Sequence, residues 1–193
     1  FDSRFYAQLG GSTNYGDPFF NRDNYARNTE ILQPQWAKDA DGKYMLRFDG
    51  KGNNLIIPLY ATPARGFTYE LSLKPESIAP QMLLRSYSKT AGAVMVVLDA
   101  GKLKVRFVRH DMQNINFTTP KLLETGKWQH LTIAFDMGKF KIRVDNGKIY
   151  EFTCVGKPCK MTQMVFGGVG KGIGIKYFKG CLRALKVYPY SIL

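Results

Sequence analysis

The sequence predicts an all-β chain, a sandwich or a barrel, and three observations carry that prediction. Short runs alternate apolar and polar residues, as half-buried strands do. Turn-forming residues recur roughly every 8–12 positions. No long segment shows the apolar stripe of an amphipathic helix.

The strands follow in order. Tyr44–Phe48 is the first clear one, and Leu55–Leu59 the second, with Pro58 marking a strand end or an edge. Phe67, Tyr69, Leu71 and Leu73 then alternate with Thr68, Glu70, Ser72 and Lys74, so one face of this segment is apolar. Met82–Tyr87 and Ala93–Leu98 come next. Asp99-Ala100-Gly101 turns the chain into Leu103, Val105 and Phe107, interleaved with Lys102, Lys104 and Arg106. Trp128–Phe135 turns at Asp136-Met137-Gly138 into Phe140, Ile142 and Val144, interleaved with Lys139, Lys141 and Arg143. Asn146-Gly147, two residues that tolerate positive φ, predicts a hairpin into Ile149–Phe152. Met164–Phe166 and Leu182–Val187 complete the set. The glycine-rich run Gly167–Gly174 lacks the Gly-Lys-Ser/Thr ending of a phosphate loop and reads as a mobile loop.

Residues 1–35 differ. Their aromatics, among them Phe5, Tyr6, Phe19, Phe20 and Tyr25, are too many for a disordered tail, so the stretch reads as an irregular wrapping segment with one strand at most. At 193 residues, a single domain over 1–193 is the expectation. The chain opens on Phe1 rather than Met, as expected of a processed protein or of a domain from a longer one. No apolar run approaches the roughly 18 residues of a membrane span.

Net charge is +13, and it is lopsided: residues 91–193 hold 17 Lys/Arg against 6 Asp/Glu, whereas residues 1–90 hold 11 against 9. Such a field favours an anionic partner, whether a sulfated or uronic-acid glycan, a nucleic acid or an acidic lipid. Nucleic acid is the weak member of that set, because no known binding motif and no strand of interleaved exposed aromatics is present. Cys154 and Cys159 flank Gly156 and Pro158 closely enough to close a small disulfide, which would fit an oxidising compartment, and Cys181 is left over. With two histidines and one close Cys pair, a zinc site is not expected.

Four stretches, in order, resemble the bacterial laminin-G-like jelly roll of the concanavalin A-like lectin/glucanase group. They are Leu46-Arg47-Phe48-Asp49-Gly50-Lys51-Gly52-Asn53-Asn54-Leu55, Phe67–Pro75, Gly126-Lys127-Trp128-Gln129-His130-Leu131-Thr132-Ile133-Ala134-Phe135-Asp136 continuing to Gly147, and Phe178–Tyr188. The resemblance covers residues 36–193 and implies a two-sheet antiparallel β-sandwich. It also implies a secreted, cell-surface or periplasmic protein, and a glycan-binding module of the sort that often sits beside other domains of a parent enzyme. Some relatives carry a structural calcium near the opening turn, where Asp49 is the candidate ligand. Family members often have acidic residues after the closing-strand glycine, but this chain has Cys181, Leu182 and Arg183 there. Calcium is thus an expectation on one residue, and no other cofactor is expected.

Catalysis is poorly supported. Glycoside hydrolysis needs two carboxylates flanking the scissile bond, and no strand offers Asp or Glu at alternating positions. Asp99, Asp136 and Asp145 fall in turns, where side-chain hydrogen bonds to the backbone explain them. A polysaccharide lyase would need a cation to neutralise a uronate and a Tyr or His to move the proton. Tyr87, Arg106, Arg109 and His110 have those chemistries without a motif to join them.

Binding is better supported. Lys104 and Arg106 project opposite the Val105/Phe107 face, Arg85 and Tyr87 precede them, and Arg109 and His110 end the strand. Lys141 and Arg143 make a second basic strand face. Arginine forks grip carboxylate or sulfate, and tyrosine stacks on a sugar ring. The expected function is a non-catalytic carbohydrate-binding module for an acidic polysaccharide. A protein-interaction or structural module of a larger secreted protein is the alternative, with a lyase or glycosidase behind it.

Overall fold

In the computed structural model, the described residues are 5–8, 34–58, 66–87, 92–109, 111–156, 158, 161–168 and 175–193. They form fourteen strands and no helix. The first seven are β1 (Phe5–Gln8), β2 (Gln35–Lys38), β3 (Tyr44–Asp49), β4 (Leu55–Pro58), β5 (Gly66–Pro75), β6 (Gln81–Tyr87) and β7 (Gly92–Asp99). The rest are β8 (Lys102–Val108), β9 (Asn114–Lys121), β10 (Gln129–Asp136), β11 (Lys139–Val144), β12 (Tyr150–Thr153), β13 (Gln163–Phe166) and β14 (Lys179–Tyr188). One sheet runs β12-β11-β10-β5-β14-β3-β2, with β1 also paired to β14; the other runs β4-β13-β6-β7-β8-β9. All of these pairings are antiparallel, so the chain is the two-sheet sandwich the sequence predicts.

The period-two pattern explains how the sheets meet. Phe67, Tyr69, Leu71 and Leu73 of β5 and Leu131, Ile133 and Phe135 of β10 face Val94, Val96 and Leu98 of β7 and Leu103, Val105 and Phe107 of β8 in one continuous core. Burying each such side chain contributes about 1.5–3 kcal/mol. Phe67, Phe107, Phe135 and Phe140 interlock at ring-centroid distances of 5.1–5.9 Å. Phe117 of β9 stacks on Phe152 of β12 at 4.3 Å, which closes the sandwich between two edge strands.

Two turns match their sequence signals closely. Ala100 and Gly101 (φ 51° and 78°) join β7 to β8, and Met137 and Gly138 (φ 37° and 101°) join β10 to β11. Both are two-residue connections with positive φ at each central residue, the arrangement whose twist matches the paired strands.

Three elements differ from the sequence reading. Asn146-Gly147 does not make a tight hairpin, because the left-handed residue is Asp145 (φ 52°). Asp145 is stitched to β10 instead: its amide donates to the His130 carbonyl at 2.7 Å, and its Oδ1 accepts the His130 amide at 2.7 Å. β9 has no counterpart in the sequence reading, since its asparagines, threonines and Pro120 resemble a loop, and only Ile115 and Phe117 pack against the core. β2 is also additional, a short edge strand with exposed Trp36. The N-terminal segment contributes β1; residues 9–33 lie outside the described residues, as do residues 169–174 of the glycine-rich run.

Candidate functional site

Backbone register places the outward-facing residues of the six-stranded sheet in rows. Ile56, Val165, Arg85, Met95, Arg106 and Asn116 are successive cross-strand partners over β4, β13, β6, β7, β8 and β9. Arg85 and Arg106 therefore flank Met95 on one face, two strands apart. The adjacent row is Met82, Val97, Lys104 and Thr118. Met82 and Val97 form a small apolar cluster with Met95 and Ile175, separate from the main core.

The cations of this face are held differently. Arg106 is exposed, and its Nε donates to Asn114 Oδ1 at 3.0 Å, which orients the guanidinium. Lys104 is paired with Asp99 at 2.5 Å. Arg85 is half-buried. The backbone of Tyr87 pairs with Gln163 and Gly92. Arg109 leaves the row: its Nη1 donates to Gln113 Oε1 at 3.2 Å, and its Nη2 lies 2.8 Å from Asp111 Oδ2. It closes the rim beside Gly156, where an added Cβ would come within 2.6 Å of its Nε. His110 lies outside the described residues.

Lys141 and Arg143 do not join this face. The β10–β11 hairpin pairs with β5, so both residues lie on the outside of the eight-stranded sheet, across the sandwich from Arg85 and Arg106. Lys141 and Arg143 are thus a second basic strand face, separate from the first. Lys141 Nζ donates to the Leu193 carbonyl at 2.7 Å and lies 3.8 Å from Asp136.

The same outer face holds a cluster the sequence reading missed. Glu70 appears solitary along its own strand, but β10 and β14 bring partners to it. Tyr188 Oη donates to its Oε2 at 2.8 Å, His130 Nε2 lies 3.4 Å from its Oε1, and Lys186 Nζ lies 3.8 Å from Oε2. Beside Glu70 in the row, Thr132 Oγ1 and Arg143 Nε are buried without a hydrogen-bond partner. Trp128 is packed under cations, with the Arg183 guanidinium 4.1 Å and the Lys74 ammonium 5.4 Å from its ring.

Asp49, the calcium candidate, ends β3. Its Oδ1 accepts the Lys51 amide at 2.7 Å in a local turn, and no group of three or more His, Cys, Asp or Glu side chains able to hold a metal occurs among the described residues. Cys154 is a buried free thiol whose pKa burial pushes up to about 12 against a smaller opposing pull from Arg109. Cys159 lies outside the described residues. The described strands of the six-stranded sheet carry one carboxylate, Asp99, which lies against Lys104. No helix among the described residues is long and apolar enough to cross a membrane.

A two-sheet antiparallel sandwich with this strand order is a laminin-G-like jelly roll, and comparison with known proteins agrees. The family model Laminin_G_3, described as the concanavalin A-like lectin/glucanases superfamily, matches residues 48–192. The chain belongs to that family. No curated protein sequence matches it. Among solved structures, the botulinum neurotoxin serotype D binding domain is similar at 14% identity and a TM-score of 0.64, over 84% of this chain and 43% of that one. Domains LG4-5 of the mouse laminin α1 chain are similar at 18% identity and a TM-score of 0.63, over 80% of this chain and 41% of that one. The SAP-like pentraxin of Limulus polyphemus is similar at 17% identity and a TM-score of 0.58, over 76% of each chain. The chain thus spans about two fifths of the neurotoxin and laminin structures, and at these identities the likeness is one of fold.

Proposed function

We propose that this is a non-catalytic carbohydrate-binding domain of a secreted or cell-surface protein, and that it holds an acidic polysaccharide on the outer face of the six-stranded sheet. The observation that carries this reading is the row Arg85–Met95–Arg106, two guanidinium groups either side of an apolar side chain. Guanidinium forks suit the carboxylate or sulfate of an acidic sugar, and the thioether between them suits the C–H face of a ring. The excess of basic residues after position 90 would draw such a polymer in at long range. With one carboxylate on the strands of this sheet, the acid pair of glycoside hydrolysis has no support there.

A protein-interaction or structural module is the second reading, and one observation favours it. Met137, Val155 and Met112 are 77%, 64% and 59% exposed and lie along one rim. Gly138 abuts Val155, Gly156 abuts Arg109, and the Met112 amide bonds to the Arg109 carbonyl.

Retention on immobilised acidic and neutral polysaccharides at two salt concentrations separates the readings, with Arg106→Ala beside the native protein. A glycan contact of this kind gives salt-sensitive retention by acidic polymers that the substitution weakens. Absence of retention by every glycan removes the carbohydrate reading and leaves the rim as the interaction surface.

A further inference from the structure

We infer that the rim made by the β8–β9 connection, the β10–β11 turn and the segment after β12 inserts into an anionic lipid surface, a contact separate from the sheet face proposed for glycans. Met137, Val155 and Met112 are the three most exposed large apolar side chains among the described residues, and all three lie at this end of the sandwich. Strand direction brings them there. Lys139 pairs with Thr153, and Gly138 abuts Val155, so Val155 stands beside the β10–β11 turn. The bridge between Arg109 and Pro158 joins the β8–β9 connection, with Met112, to the same edge.

The backbone at two of these tips disfavours the side chains they carry. Met112 and Met137 sit at φ 66° and 37°, in the left-handed region that glycine and asparagine tolerate better. An apolar, flexible thioether held out at such a position suits an apolar medium outside the fold. Three side chains on separate tips fit a bilayer, whose acyl chains close around each one. They fit a protein partner less well, since that needs roughly 1,000 Å² of complementary surface.

Charge points the same way. Asp111, Glu151 and Asp136, the carboxylates on these connections and strands, are each matched: to Arg109 at 2.8 Å, Lys139 at 3.1 Å and Lys141 at 3.8 Å. Beyond Glu151 the sequence holds seven Lys and Arg and no Asp or Glu, beginning with Lys157 and Lys160 just after Val155. Such a surplus draws the rim toward anionic headgroups, and the apolar tips then pass below them.

Flotation with vesicles tests this, using phosphatidylcholine alone and phosphatidylcholine mixed with phosphatidylglycerol, at low and high salt. The native protein should bind the mixed vesicles about tenfold tighter than the neutral ones at low salt and lose that margin at high salt. Met137→Asn and Val155→Asn should each weaken binding to the mixed vesicles by about tenfold. Asparagine suits the backbone at position 137, so weaker binding with an undiminished thermal midpoint is not a loss of fold. Ile149→Asn, at the opposite end of β11 and β12, should bind as the native protein does. Met137→Trp should add emission that brominated phosphatidylcholine in the mixed vesicles quenches, beyond the quenching of Trp36 and Trp128 in the native protein. Binding unchanged by both asparagine variants would mean that charge alone holds the lipid, and it overturns insertion. Failure to float with either vesicle overturns it too, and self-association that Met137→Asn abolishes would then assign the rim to a second copy of the chain. Glycan retention that Met137→Asn leaves intact keeps the sheet-face reading whichever way the vesicles answer.

Discussion

The hydroxyls of Tyr69 and Ser86 lie 2.8 Å apart in the core, joining β5 of one sheet to β6 of the other, and both residues are fully buried. Tyr69 Oη also reaches Met161 Sδ at 3.5 Å. Burial pushes the Tyr69 hydroxyl well above the usual phenol range, against a smaller opposing pull from Ser86, so the bond persists in alkaline solution. Tyr69→Phe strands the Ser86 hydroxyl in an apolar core and should cost about 1–3 kcal/mol. The pair Tyr69→Phe with Ser86→Ala should cost less than the sum of the single changes. Urea unfolding of the four proteins measures the coupling, and strictly additive costs would deny that the bond links the sheets.

Asp39 anchors the β2–β3 turn to β14. Its Oδ1 accepts the amides of Asp41 and Lys43 at 3.0 and 2.9 Å, and its Oδ2 pairs with the Arg183 guanidinium that stacks on Trp128. Burial alone would raise its pKa, but the Lys43 and Asp41 amides and the Arg183 charge overcome that, and the carboxyl is held below its ordinary value of 3.8. A depressed carboxyl contributes stability that is present above the unfolded-state pKa and fades as pH falls through the folded-state value. The native protein should therefore melt above Asp39→Asn at neutral pH, with a gap that holds down to about pH 5 and closes below about pH 4. Melting curves from pH 2 to 7 show this, and a gap that widened toward acid would contradict the assignment.

These anchors also explain what the sequence could reveal. Alternation along β5, β8, β10 and β11 is a local property, so strand identity and inward faces were legible there, as were the Ala100-Gly101 and Met137-Gly138 turns. Sheet membership is not local. Lys104/Arg106 and Lys141/Arg143 have the same interleaved pattern, yet β11 reaches the other sheet because β10 pairs with β5 about 60 positions earlier. The Glu70 cluster was hidden for the same reason, since its partners His130 and Tyr188 lie 60 and 118 positions away. β9 was hidden by composition, because Asn, Thr and Pro satisfy an edge strand and a loop equally well.

Cys154 should be chemically silent while the protein is folded. Its thiol is buried, and with a pKa of about 12 only roughly one part in ten thousand is thiolate at pH 8. Alkylation at pH 8 followed by peptide mass mapping should leave Cys154 unmodified in native protein and label it after denaturation without reductant. Labelling of the native protein would place Cys154 outside the core. Labelling that required a reductant even after denaturation would instead reveal the bridge to Cys159.

Met137 is 77% exposed and occupies the first central position of the β10–β11 turn at φ 37°, with Gly138 next at φ 101°. A side chain there gains little from packing and meets the steric cost of the left-handed region, which asparagine tolerates and β-branched residues resist. Met137→Asn creates the Asn-Gly pair preferred by two-residue turns of this hand, and it should raise stability by about 0.5–1 kcal/mol. Met137→Val should lower it by a similar amount or more, because branching at Cβ crowds the same backbone. Neither change touches the core, so thermal midpoints should order Asn above Met above Val, with shifts of about 2–4 °C per kcal/mol. Equal midpoints for all three would mean that the turn does not hold residue 137 at positive φ in solution.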